Sequence, residues 1–118
     1  MTWFATGMAL LTGAAIAGLW TMLLVTRQVP ELSTGQRAIR FHIAAEYLTA
    51  GASLLGGIGL WLAAGWGPPL AIAGLGAALY SSVNSPGYYA DLGKPGMVIA
   101  FGVLATLLSV AIGVLILA

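Results

Sequence analysis

A chain of 118 residues of which 60% are hydrophobic and only 6% charged stands apart from soluble domains, where roughly a quarter of the residues carry charge. With a mean hydropathy of +1.01 it holds more apolar surface than a core of this size can enclose, so lipid is its second solvent and the bilayer its first partner. Four basic and three acidic residues leave no surface for nucleic acid. The absence of cysteine removes disulfides, thiolate metal sites and cysteine nucleophiles, and a single histidine excludes a multi-histidine metal centre within one chain.

The first apolar run, about 2 to 26, has no basic residue ahead of it and outlasts the 7–15 residues of a signal-peptide core, which reads as a retained span. A connection carrying Arg27, Arg37 and Arg40 follows, and then a second run at about 41 to 64. The turn Trp66-Gly67-Pro68-Pro69 leads into a third run, about 69 to 90, interrupted by Pro86 and Gly87. A fourth occupies about 96 to 118. Each is close to the ~20 residues needed to cross a bilayer core as a helix. The expected architecture is an all-α membrane protein, a single four-transmembrane-helix bundle over residues 1–118. Its third helix is kinked or ended near Pro86, since proline removes a donor and crowds the preceding turn; an early stop near Val83 is one form of this.

All four basic residues, Arg27, Arg37, Arg40 and Lys94, fall in or beside the first and third connections, and the turn at 66–69 has none. The positive-inside rule then puts both termini outside a prokaryotic cytoplasmic membrane. Phe41, Tyr88 and Tyr89 would lie at the inner interface, and Trp3, Trp61 and Trp66 at the outer one. The one-sided charge speaks against dual topology, and the two halves show no inverted repeat.

Helices in lipid associate through close backbone approach and interhelical hydrogen bonds. Small residues four apart offer that approach: Gly13 with Ala17 and Ala14 with Gly18 on the first helix, Ala52 with Gly56 and Ser53 with Gly57 on the second, Gly74 with Ala78 on the third.

One polar constellation stands out. His42, Glu46, Thr49 and Ser53 follow at intervals of four, three and four, which places them on one helical face. On the third helix Tyr80 and Asn84 are four apart, as are Ser81 and Ser85. Glu46 and Asn84 lie at similar depth, on the order of 9 Å from the inner helix ends. One reading joins His42, Glu46, Thr49, Tyr80 and Asn84 in a ligand- or ion-binding pocket open to the cytoplasm, because a charge at membrane depth is expensive and marks function. The other makes Glu46 an anchor paired with Lys94 or Arg40 and the remaining groups bundle-holding contacts. A metal on His42 and Glu46 would need ligands from neighbouring subunits, and His42 as an axial haem ligand would need a dimer. No cofactor is assigned. Carboxylate catalysis lacks a partner, since Glu31 and Asp91 fall in connections.

At FHIAAEYLTAG (41–51) and YSSVNSPGYYADLGKPGMV (80–98) the chain resembles small prokaryotic four-helix membrane proteins of uncharacterised function. These carry F-H-x-x-A-E-[FY]-x-T-A on the second helix and N-S-P-G-Y-[FY] at the close of the third. The resemblance implies the four-helix fold and lends no catalytic or binding residue.

The favoured function is a homo-oligomeric channel or carrier for a small ion or solute, in which subunits pool their polar stripes. The alternative is an accessory or scaffolding subunit of a larger membrane complex, binding protein, lipid or pigment. A membrane enzyme ranks last, because nucleophile, metal cluster and paired acids are missing.

Overall fold

The computed structural model describes residues 2–29, 35 and 37–118, with Tyr88 described through its backbone alone. Glu31, and the interfacial position expected for the Tyr88 side chain, therefore fall outside what is described. Four helices follow one another: α1 (Thr2–Val25), α2 (Arg37–Trp61), α3 (Gly67–Asp91) and α4 (Pro95–Leu117). Each packs antiparallel on the next. α1 also meets α3 and α4, whereas α2 and α4 do not touch among the described residues. The cross-section is thus a rhombus with α1 and α3 across its short diagonal.

Three helix ends close in the same way. Arg27, Ala63 and Gly93 adopt left-handed φ values of 57°, 55° and 70°, and the amide after each returns to a carbonyl five residues back: Gln28 to Leu23, Ala64 to Gly59 and Lys94 to Tyr89. This is the Schellman closure, which satisfies carbonyls that a helix end leaves open. It ends α2 at Trp61, three residues short of its apolar run. At the other end α2 starts before its run, because Arg37 to Arg40 form a polar, largely exposed first turn. Pro68 and Pro69 sit in the first turn of α3, where a missing N–H removes no helical bond.

The expected stop near Pro86 does not occur: α3 runs through Pro86 to Asp91. Proline deprives only the Ser82 carbonyl of its donor, whereas unwinding the next turn would cost several helical hydrogen bonds. That turn is also held in place, by the Schellman closure onto Tyr89 and by the Tyr89 ring stacked on Phe101 of α4, centroids 5.7 Å apart.

The interior is made of small residues. Ala5, Ala9, Ala71, Ala78 and Ala111 join Leu75, Leu108 and Leu115 in the core, while Leu11, Leu48 and Ile116 are largely exposed. Large apolar groups outside and small or polar ones inside is the arrangement expected where lipid replaces water. α1, α2 and α4 are each long and apolar enough to cross a membrane. α3 has the length, 25 residues, but the polar stretch from Tyr80 to Asp91 dilutes it. The longest dimension, 45 Å, matches a bilayer with its headgroup regions, ~40–45 Å.

Glycine sets the α1–α2 and α2–α3 distances. A Cβ on Gly13 would lie 2.8 Å from the Ala50 carbonyl oxygen, and one on Gly57 would run into Leu10. Gly56 and Gly74 allow no Cβ either, because the backbone of Ala71 and of Ser53, respectively, occupies the space. A Cβ on Gly18, by contrast, would have nothing within 4 Å among the described residues, and Ala14 beside it is exposed.

Candidate functional site

The α2–α3 contact is a regular seam. Gly56 lies on Ala71; three residues back along α2 and three forward along α3, Ser53 lies on Gly74. A further seven residues along each brings Glu46 opposite Ser81, whose hydroxyl donates to Glu46 Oε1 at 2.8 Å. A repeat of three and four is that of helices crossing at a shallow angle. Glycine and alanine keep the seam tight at the end holding the 62–66 turn. Where it reaches Glu46, Tyr80 and Asn84 the side chains are larger and the helices enclose a cleft of ≈ 280 Å³.

All five residues singled out from the sequence, His42, Glu46, Thr49, Tyr80 and Asn84, line this one cleft, together with Ser81. Ala45 and Ala77 complete its walls. Glu46 is buried at 8% exposure. Neither Lys94 nor Arg40 pairs with it among the described residues; its partners are Ser81 and, at 3.7 Å from the same oxygen, His42 Nε2. That separation is too long for a hydrogen bond and becomes an ion pair only when the imidazole is protonated. The anchor reading of Glu46 is thereby corrected. Arg40 and Lys94 lie exposed at the helix ends, while the carboxylate faces inward between α2 and α3. His42 is oriented by Trp20 of α1, edge to face with centroids 5.5 Å apart.

Thr49 donates its hydroxyl hydrogen to the Ala45 carbonyl at 2.8 Å, and Ser81 donates its own to Glu46. Tyr80 and Asn84 are exposed on the flank of α3, Tyr80 at 72%, so the cleft opens sideways between the two helices. Beyond Thr49 the stripe ends at Ser53, fully buried, with a hydroxyl that has no hydrogen-bond partner among the described residues. Gly74 presses against it. No group of three or more His, Asp or Glu able to hold a metal occurs among the described residues, so a metal on His42 and Glu46 would depend on further ligands from outside the chain.

Ser81 is the member that sequence reasoning undervalued. Its place opposite Glu46 follows from the seam register, which the small residues Gly56, Ser53, Ala71 and Gly74 carry.

Fold and site together define an all-helical bundle of membrane-length helices with, among the described residues, one buried carboxylate, set in a polar cleft near the basic end. The chain belongs to the family described as "Domain of unknown function (DUF8058)", which matches residues 1–118, its full length. No curated protein and no solved structure matches it.

Proposed function

We propose that all four helices cross the membrane and that copies of the chain assemble into a homo-oligomeric channel or carrier for a small ion or solute, with the α2–α3 cleft as the polar part of its path. The observation that carries this reading is the buried Glu46 carboxylate facing a cleft of ≈ 280 Å³ shared with Tyr80 and Asn84. A charge kept at membrane depth without an Arg or Lys partner is costly, and stability alone gives no reason to retain it. The exposed Tyr80 and Asn84 on α3 support assembly, since polar groups facing hydrocarbon are relieved by a second helix surface. The basic helix ends, Arg27, Arg37, Arg40 and Lys94, lie at the same end of the bundle as the cleft. By the positive-inside rule that end faces the cytoplasm of a prokaryotic cell and both termini face out.

The same exposed face of α3 is what an accessory subunit would turn toward a larger membrane complex, and flux separates the two readings. In proteoliposomes, uptake of Na⁺, K⁺ or methylammonium by the wild-type protein should exceed that of empty vesicles. Glu46→Gln, which keeps shape and hydrogen-bonding capacity, should lower it by about tenfold or more, as expected for loss of a charge-assisted contact. Helicity and elution volume should stay unchanged. Equal uptake by wild type, Glu46→Gln and empty vesicles would transfer support to the accessory role.

A further inference from the structure

The polar groups of the cleft are unevenly committed. Thr49 and Ser81 have both spent their hydroxyl hydrogens, on the Ala45 carbonyl and on Glu46 Oε1. What these hydroxyls still offer is lone pairs. Glu46 accepts only, and one of its oxygens serves both Ser81 and His42 while the other has no protein partner among the described residues. Asn84 adds a carboxamide with an acceptor oxygen and a donor NH₂, neither with a hydrogen bond among the described residues. The cleft is therefore rich in acceptors, carries a carboxylate, and has no Arg or Lys paired to it among the described residues. Its ≈ 280 Å³ leaves room for a small organic cation. Among the described residues no group of three or more His, Asp or Glu gathers around it. Tyr80 also lines the cleft, and an aromatic ring is a group that attracts cations.

We propose that the cleft binds a primary ammonium group, with the –NH₃⁺ directed at Glu46, its remaining hydrogens on the oxygens of Thr49, Ser81 or Asn84, and the attached carbon beside Tyr80 and Ala77. Three donors on one small cation match an acceptor-lined site with one negative charge. Because the cleft opens on the flank of the bundle, the ammonium group has two sources, a free small amine or the headgroup of an aminophospholipid. This inference rests on the reading of the cleft as a binding site, and it names the chemistry that the site selects.

The test uses the full chain in nanodiscs of phosphatidylglycerol, with n-propylammonium as probe, n-propanol as its neutral counterpart, and saturation-transfer NMR on the probe as readout. Transfer is expected to n-propylammonium and not to n-propanol, to survive a tenfold excess of Na⁺ at constant ionic strength, and to weaken about tenfold or more in Glu46→Gln. Asn84→Ala alters an exposed residue that has no hydrogen bond among the described residues, and it should weaken transfer too, which keeps the test valid if Glu46→Gln folds poorly. Repeating it in phosphatidylethanolamine nanodiscs separates the sources: suppression of the probe signal there identifies the lipid headgroup, and an undiminished signal the free amine. Equal transfer to n-propanol, loss of signal to Na⁺, or no transfer at all would overturn the proposal. Flux of Na⁺ or K⁺ that depends on Glu46 without ammonium binding would sink this inference and leave the carrier standing. Ammonium binding without flux would do the reverse.

Discussion

Ser53 is the residue at which polarity and packing conflict. Thr6, Thr49 and Ser82 each return their hydroxyl to the carbonyl four residues earlier, and so satisfy it inside the helix. Ser53 is as buried and has no such bond among the described residues. Its oxygen abuts Gly74, where a weak Cα–H contact is the best that the geometry offers. Ser53→Ala removes the unmet hydroxyl without adding volume, so it should raise stability in detergent, by about 1–3 kcal/mol on the scale of buried unsatisfied groups. Thermal melting of the two proteins checks this, and a lower melting temperature for Ser53→Ala would mean that the hydroxyl is satisfied in solution by a bound water. At this scale much was legible beforehand. Four-three-four spacing aligned His42, Glu46, Thr49 and Ser53, and depth from the helix ends paired Glu46 with Asn84. The partner of Glu46 was not legible, because charge suggested Lys94 while the decisive factor, the register of α2 on α3, depends on backbone proximity that no single helix reveals.

Among the elements, the same glycine-rich composition serves two purposes that sequence spacing does not separate. Gly56 and Gly18 each stand four residues from an alanine, yet one is pressed against the Ala71 backbone and the other faces open space. Gly56→Ala should therefore cost about 1–3 kcal/mol through overpacking. Gly18→Ala should be neutral or gain up to about 1 kcal/mol from helix propensity. Urea or thermal titration of both variants in one detergent provides the comparison, and equal effects would refute the seam described for α2 and α3. The four helices themselves were readable from run length. Their ends were less so, since a Schellman turn at Ala63 stops α2 inside an apolar run, and the last turn of α3 survives Pro86 through contacts with α4 that lie far along the chain.

For the whole molecule, the inverted distribution of apolar bulk was legible from composition, which left no room for a water-soluble core. The orientation argument gains better reporters from the structure. Gly65 and Gly96 are exposed, have nothing within 4 Å, and lie at opposite ends of the bundle. In cells, Gly65→Cys should react with a membrane-impermeant maleimide added outside, and Gly96→Cys only after permeabilisation. The opposite pattern would invert the topology and put the cleft on the outer side.

The rhombic cross-section bears on how the protein is made. Both walls of the cleft belong to consecutive helices joined by the turn at residues 62–66, and among the described residues α4 touches α1 and α3 but not α2. The carboxylate, its serine and the α2–α3 glycine seam thus lie on one hairpin that packs on α1 and precedes α4 in the chain. α4 then buttresses α3 from behind. A chain ending before α4 would already carry every group that lines the cleft, from His42 to Asn84.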